Sequence, residues 1–311
     1  MKTHIIFDYS YLYYKYKYAL ESGKMTRLSA DVEVNGKTEN RDVSQIYYSL
    51  REIEQVRRKT ESSTNEVTIS VCFDMPSSRK DEDTEGAEKY KSNRGNKLSQ
   101  WDFENIGIVQ SILTTAGYNC YKSYGYEADD LIHALVDKYS GEFDETIIYT
   151  PDADLLVNVK PSVSVMRYKS TKGYTHVDMN NFEEYLSKEM KCTVPYNSIV
   201  LFKCTVGDKS DCIDGIKGFG PAAFNKLVNA LNKANIDWKR CGNTNAVDQI
   251  LMYCEKMQVL TDVQIAQARA ALNLVANKIV PDEITIRPVS KSTVQSREEA
   301  YSKYKMNSLI Q

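Results

Sequence analysis

No apolar run in the sequence is long enough to cross a bilayer, which removes helical membrane proteins from consideration. The seven cysteines form no Cys-x-x-Cys pair and their number is odd, so reduced thiols are expected and a zinc site is not. Only three histidines are present, His4, His133 and His176, too scattered to suggest shared chemistry. No segment repeats and none is of low complexity. Positive charge is not in excess either: the formal net charge of −2 argues, on its face, against a nucleic-acid binder. The opening Met1-Lys2-Thr3-His4 leads directly into a β-like run rather than an apolar leader, so a soluble cytoplasmic protein is expected.

What the chain does have is acid in particular places. Glu127, Asp129 and Asp130 stand at the start of a segment whose Leu131, Ile132, Leu135 and Val136 repeat at helical spacing. Asp152 and Asp154 follow Thr146-Ile147-Ile148-Tyr149-Thr150, a β-branched run ended by Pro151. Two like charges ~4 Å apart cost about 4 kcal/mol at an effective dielectric near 20, so gathering such groups calls for compensation, most simply by divalent metal. Taken singly, each cluster has a plainer reading. The first is also what a helix N-terminus prefers, and the second is also an Asx turn.

Elsewhere the pattern recurs. His4-Ile5-Ile6-Phe7 is a buried strand ending in Asp8, and the strand from Val67 to Phe73 ends in Asp74. Between them lie a tyrosine-rich stretch, Tyr9 to Tyr18 around Lys15 and Lys17, and a hairpin about Asn35-Gly36. The tyrosines read either as an amphipathic helix burying an aromatic face or as a base-stacking surface. A helix from about Val43 to Lys59 follows, with a basic end. From Pro76 to Asn105 hydrophobic periodicity gives way to charge, which in a loop this long marks function or disorder. A helix from about Phe103 to Thr115, a short run near Cys120 and a hairpin about Lys172-Gly173 come next. Helices dominate beyond, with a polar joint at residues 241–245. The β-α-β-α-β order predicts an α/β fold with a mostly parallel central sheet flanked by helices, then a helical region. With 42% hydrophobic residues in 311, there is material for one large or two modest domains.

Between two helical stretches, residues 207–221 carry Asp208 and Asp211, then Gly215, Gly218 and Gly220, then Pro221. Glycines so spaced let backbone N–H groups approach an anion, and Pro221 suits the first turn of a helix. Such a loop holds a phosphate without reading a base; a plain helix–turn–helix connection is the alternative.

In combination, Phe7-Asp8, Cys72-Phe73-Asp74, Tyr90-Lys91-Ser92-Asn93-Arg94, Glu127-Ala128-Asp129-Asp130, Asp152-Ala153-Asp154 and the 207–221 loop resemble the 5′ nuclease superfamily, above all its bacteriophage 5′→3′ exonuclease and flap endonuclease branch. The resemblance covers residues from about 4 to 231 and, more loosely, to 281. It implies a PIN-like α/β nuclease core over 1–190 with an arch-like loop at 76–105. A helical DNA-binding region over 191–290 would follow, with a helix–hairpin–helix motif at 197–231, then a C-terminal tail over 291–311. By the same resemblance Asp8, Asp74, Glu127, Asp129 and Asp130 surround a first metal ion, and Asp152, Asp154, Asp208 and Asp211 a second. Both are expected to be Mg2+, with Mn2+ as a substitute. Lys91 and Arg94 would steady the scissile phosphate and act with Asp130 in catalysis. Tyr90, Gly215, Lys217, Gly218 and Gly220 would contact DNA, with K+ held at the 215–220 hairpin.

The implied activity is metal-dependent phosphodiester hydrolysis near 5′ ends of DNA or RNA primers in replication or repair. Substrates would be DNA with a 5′ flap, nick or free 5′ end, or an RNA–DNA hybrid; the enzyme would be monomeric and served by replication proteins, in the host cytoplasm if of bacteriophage origin. The charge objection then weakens, because setting nine site carboxylates aside leaves the rest of the chain net positive. Departures from the family pattern are Tyr9, where glycine is common, and the interval from Arg94 to Glu127, whose basic residues are Lys97 and Lys122 alone. A closed arch is therefore not implied. Trp101 in that interval reads as a base-stacking group or as a hydrophobic contact at a helix start. A haloacid-dehalogenase-like phosphatase would need an aspartate at position 10, where Ser10 stands. A non-catalytic DNA-binding protein on the same fold would have shed site carboxylates. A PIN-like ribonuclease would lack the 207–221 hairpin.

Overall fold

The computed structural model describes residues 1–34, 36–76, 78, 86–93, 98–190, 194, 198–238, 244–276, 280 and 293–310. Two compact units divide the chain: Met1–Met75, Asn96–Pro151 and Val280–Gln311 form the first, Pro76–Gly95 and Asp152–Ile279 the second. Arg94, residues 77, 79–85 and 95–97 of the charged 76–105 stretch, Asn35 of the first hairpin and residues 241–243 of the polar joint lie outside the described residues. Among the described residues, no helix is long and apolar enough to cross a membrane.

The first unit is built on four parallel strands, β1 (Lys2–Asp8), β4 (Glu66–Cys72), β5 (Asn119–Tyr121) and β6 (Glu145–Thr150), in the order β5-β4-β1-β6. Ile5, Ile6, Phe7, Val71 and Ile148 are fully buried, as strands covered on both faces require. The remaining strands of this unit, β2 (Ser29–Val34) and β3 (Lys37–Asp42), make the separate antiparallel hairpin. Helices α1 (Tyr9–Glu21), α2 (Ser44–Thr60), α3 (Gln100–Thr115) and α4 (Ala128–Lys138) supply the connections. The chain steps from β1 to β4 to β5 on one side, then returns to place β6 on the other side of β1. Strand order thus reverses at β1, and open α/β sheets bind ligands at the carboxyl ends of strands flanking such a reversal. Asp8 is the last residue of β1, paired in register with Cys72.

The tyrosine-rich stretch is helix α1, and it buries Tyr9, Tyr11 and Tyr13. Tyr9 packs its ring 4.7 Å from that of Phe73, so the bulky residue after Asp8 is directed into the core. The intervening lysines hold neighbouring helices: Lys15 bonds Glu52 of α2 at 2.6 Å, and Lys17 bonds Asp102 of α3 at 2.9 Å. Helix α3 starts three residues before the expected Phe103 because Ser99 and Asp102 cap it reciprocally. Trp101 receives the Arg41 guanidinium 4.1 Å from its ring centre, a cation–π contact within this unit.

His4, without assigned chemistry, has a structural place. Its Nε2 lies 2.7 Å from the Ser70 hydroxyl and its ring stacks on Phe143 at 4.6 Å. Burial lowers its pKa to about 4. A histidine depressed below its unfolded value of ~6.5 contributes stability above that pH, and the contribution is lost as pH falls towards the folded value. The gap corresponds to about 3 kcal/mol. Urea unfolding of the protein and of His4→Leu at pH 7 and pH 4 should show a steeper loss in the parent by about that amount; parallel losses would refute the assignment.

The segment expected as a tail is packed. Helix α10 (Val294–Lys303) lies against α3, and Tyr301 is fully buried. The Tyr301 and Tyr118 hydroxyls both donate to Glu54 Oε1 at 2.5 Å, while Arg57 Nε donates to Glu54 Oε2 at 2.9 Å. A carboxylate only 1% exposed is tolerable because these donors replace water.

The second unit contains the antiparallel hairpin of β7 (Val163–Lys169) and β8 (Gly173–Val177), followed by α5 (Phe182–Met190). Its helical part comprises α6 (Ile199–Val206), α7 (Pro221–Lys233), α8 (Thr244–Lys256) and α9 (Asp262–Val275). Helix α6 is central, buried from Ile199 through Thr205 and packed on α7, α8 and α9. Pro221 opens α7 at its first turn, and Phe224, Leu227 and Leu231 form its buried face.

Candidate metal centre and nucleic-acid interface

In the first unit, acidic residues collect at strand ends. Asp8 accepts the Tyr11 N–H at 3.3 Å on one oxygen and the Thr150 hydroxyl, from the end of β6, at 3.1 Å on the other. Asp74, two residues beyond β4, accepts the Ala128 N–H at 2.7 Å. That bond ties it to the amino end of α4, where the helix dipole favours an anion. Glu127 is the N-cap of α4, and its N–H donates to the fully buried Asp130 at 3.0 Å. The capping expectation for this cluster therefore holds as geometry. Charge gathers there as well: the Cys72 thiol is pushed well up by burial, then by Asp8, Cys120, Asp129 and Asp74.

The second unit brings its acids closer. Asp154, Asp208 and Asp211 offer carboxylate oxygens that all lie within 4.8 Å of one another, the one such group among the described residues. Asp152 stands beside them but turns back: its Oδ1 accepts the Asp154 N–H at 2.9 Å, the expected Asx turn. The Asx-turn reading therefore holds at Asp152, while Asp154 is the residue that joins Asp208 and Asp211.

Asp208 and Asp211 owe their positions to a closed loop. The Asp208 and Ile213 backbones exchange hydrogen bonds, each at 2.8 Å. Gly207 caps α6 at φ +91°, and a Cβ there would meet the Ile213 carbonyl oxygen at 2.7 Å. Gly215, at φ +58°, crosses it so closely that a Cβ would lie 2.4 Å from the Gly207 nitrogen. Gly215 is therefore demanded by the loop's own closure. A Cβ added at Gly218 or Gly220 would meet nothing within 4 Å, so that side of their backbone stands open. Gly215 and Lys217 also border a cavity of about 520 Å³ shared with Lys89, Asp214 and Gln267.

The segment 86–93 is fastened to this loop. Lys91, at φ +51°, donates its N–H to the Asp211 carbonyl at 2.8 Å and holds its ammonium 3.9 Å from the Asp211 carboxylate. Asn93 donates to the Ser210 carbonyl at 3.2 Å, and Lys89 reaches Asp214 at 3.3 Å. Tyr90 is only 3% exposed, so its ring supports the Lys91 ammonium from 4.9 Å rather than presenting an open stacking face.

One residue of this centre escaped the sequence reading. Lys203, in the buried helix α6, places its ammonium on the carboxylates of both Asp154 and Asp208. Burial works against that charge, but Asp154, Asp208 and Asp152 outweigh it and push the lysine pKa up. Asp208 is held below its ordinary value despite burial, by Lys203 and by the Ser210 N–H and hydroxyl. Burial, then Asp152, and further Asp208, push Asp154 up to about 7 against the pull of Lys203. The visible signal was a lone cation inside Ile199-Val200-Leu201-Phe202-Lys203-Cys204-Thr205-Val206, five residues ahead of Asp208.

An all-carboxylate donor set of this kind suits a hard divalent cation, which takes oxygen ligands and retains waters. The buried ammonium between Asp154 and Asp208 marks the place as one that favours positive charge.

Both the sequence and the fold resemble known proteins. Residues 3–187 match the family described as 5′-3′ exonuclease, N-terminal resolvase-like domain, and the chain belongs to that family. A 5′-3′ exonuclease of Aquifex aeolicus is 31% identical over 190 residues, covering 61% of this chain and 57% of the relative. DNA polymerase I of Synechocystis is 32% identical over 174 residues, covering 53% of this chain and 17% of the polymerase. The chain thus spans just over half of one curated relative and a small part of the other. The bacteriophage T5 D15 protein, co-crystallised with metal ions, superposes with a TM-score of 0.58 at 14% identity, covering 99% of this chain and all of that one. The Rad2 catalytic core in complex with DNA substrate gives 0.55 at 14% identity, covering 99% and 90%. At such identities the likeness establishes the fold: a mostly parallel sheet flanked by helices.

Proposed function

We propose that this chain is a divalent-metal-dependent 5′ nuclease that hydrolyses phosphodiesters near 5′ ends, as a 5′→3′ exonuclease and structure-specific flap endonuclease. The observation that carries the reading is the meeting of Asp154, Asp208 and Asp211 within 4.8 Å beside the Lys91 ammonium. Carboxylates gathered beside a cation that can meet phosphate are what metal-assisted phosphodiester hydrolysis needs.

In this reading Asp8, Asp74, Glu127, Asp129 and Asp130 hold one Mg2+ ion, and Asp152, Asp154, Asp208 and Asp211 hold the other, with Mn2+ able to replace either. Bound there, the ions supply an activated water and stabilise negative charge on the phosphate and on the leaving oxygen. The chain's own part is binding and orientation. Lys91, anchored through its backbone to Asp211, offers an ammonium to a phosphate oxygen, and Arg94 is assigned the same task. The open backbone at Gly218 and Gly220, with Lys217, grips the duplex phosphates, and loop carbonyls at 215–220 are assigned a K+ ion. Water adds to phosphorus and the 3′ oxygen leaves, giving a 5′-phosphate and a 3′-hydroxyl.

The substrates proposed are DNA with a 5′ flap, nick or free 5′ end, and RNA primers on DNA. It is proposed to act as a monomer in the cytoplasm beside replication proteins, and the polymerase named among the relatives supports the replication setting alone. The test uses a 5′-flap duplex and a nicked duplex, each labelled at both ends, incubated with Mg2+ or with EDTA. Cleavage at the flap junction or release of short products from the nick, in Mg2+ alone, is expected. Intact substrate that still shifts on a gel would replace this reading with a non-catalytic DNA-binding protein.

A further inference from the structure

Lys203 sits where nothing else in helix α6 is charged. The residues around it, from Ile199 to Thr205, are buried and otherwise uncharged, and its side chain is only 7% exposed. An ammonium in such a place is tolerated only when paired and hydrogen-bonded. Its partners are two of the three carboxylates that form the second candidate metal position. Asp208 is engaged on both oxygens: Lys203 takes Oδ2, and the Ser210 N–H takes Oδ1 at 2.8 Å, joined by the Ser210 hydroxyl. The third carboxylate, Asp211, has the Lys91 ammonium at 3.9 Å. The metal-free centre is therefore already partly neutralised by the chain itself.

We propose that Lys203 is a built-in counter-cation of the second metal position, one that holds Asp154 and Asp208 together without metal and lowers the affinity of that position for a divalent ion. This rests on the two-ion reading above. A divalent ion that takes oxygens of Asp154 and Asp208 meets an ammonium already on both, and like charges at such range repel strongly inside a protein. The ion binds by displacing or sharing that ammonium, so its net gain is small. The second position should consequently bind a divalent ion more weakly than its carboxylates alone would.

The test is a calorimetric titration of the full chain with Mn2+, without nucleic acid, on the parent, Lys203→Met and Lys203→Arg. The parent should show a tighter and a weaker class of site. Lys203→Met should tighten the weaker class at least tenfold, leave the tighter class unchanged, and lower the melting temperature in EDTA but not in Mn2+. Lys203→Arg, which keeps the charge, should retain a weak class. A weaker class unmoved or weakened further in Lys203→Met would overturn the proposal. Absence of any Mn2+ binding by the parent would instead remove the two-ion reading beneath it.

Should Lys203→Met fail to fold, the parent answers through 15N-lysine NMR, with the Lys203 signal identified by its loss in Lys203→Arg. That ammonium should be protected from exchange in EDTA and should shift or lose protection as the weaker class fills. A signal unchanged throughout the titration would reject the counter-cation role.

Discussion

Asparagine in place of Asp130 is expected to reduce single-turnover cleavage of a 5′-flap substrate at least a thousand-fold while leaving the protein folded. Asp130 is fully buried three residues into α4, and its Oδ2 accepts the Glu127 N–H at 3.0 Å. An asparagine carbonyl can accept the same bond in the same space, so the helix start survives and the circular dichroism spectrum and melting temperature should stay close to those of the parent. What disappears is a full negative charge in a dry site. Removing one electrostatic contact to a developing transition state typically costs 10²–10³-fold in rate, about 3–4 kcal/mol, and a charge that also helps hold a metal ion should reach or exceed the upper end. Cleavage within tenfold of the parent, at saturating Mg2+, would show that Asp130 serves the helix alone.

Gly215→Ala should be the most damaging of the glycine substitutions in the 207–220 loop. The new Cβ would lie 2.4 Å from the Gly207 nitrogen and 2.8 Å from both the Gly207 Cα and the Val206 carbonyl carbon. These are backbone atoms at the end of a buried helix, so no rotamer change relieves the contact. The left-handed φ of +58° adds ~1–2 kcal/mol for any residue with a Cβ. Together these place the loss of unfolding free energy at about 3 kcal/mol or more, in the range of severe core disruption. Gly218→Ala is the internal control: its φ is +74° but nothing lies within 4 Å, so only the conformational cost of ~1–2 kcal/mol applies. Urea denaturation of both variants in EDTA separates the effects, and equal losses would mean that the Gly207–Gly215 crossing does not constrain the loop. Because the same loop presents Asp208 and Asp211, Gly215→Ala should also weaken metal binding.

The parts of this molecule that were legible in the sequence are those whose cause is local. Ile5-Ile6-Phe7 and Thr146 to Thr150 declared buried parallel strands, and aspartates placed at strand ends pointed to where a sheet of this kind puts its site. Leu131, Ile132, Leu135 and Val136 declared a helix face that could begin only near Glu127. The tyrosine run was ambiguous because Lys15 and Lys17 have partners 37 and 85 residues away, and only those partners turn a mixed stretch into a packed helix. Lys203 was missed for the same reason. A lone lysine in an apolar helix ordinarily sends its ammonium out to solvent, and its contact with Asp154 spans 49 residues. The glycines were legible but their division of work was not, since only the backbone crossing separates Gly215, which closes the loop, from Gly218, which leaves it open.

Residues 291–311 read as a tail because the partners of Tyr301 lie far upstream. Tyr301 reaches Glu54 across 247 residues, and that distance has a meaning in time as well as in space. A nascent chain delivers Glu54 early, then Tyr118, and brings the second hydroxyl only when synthesis has passed through everything from Asp152 to Ile279. The helical unit is thus wholly translated while the first unit still lacks a donor to its buried carboxylate. The parallel sheet, begun first on the ribosome, is the last to be sealed.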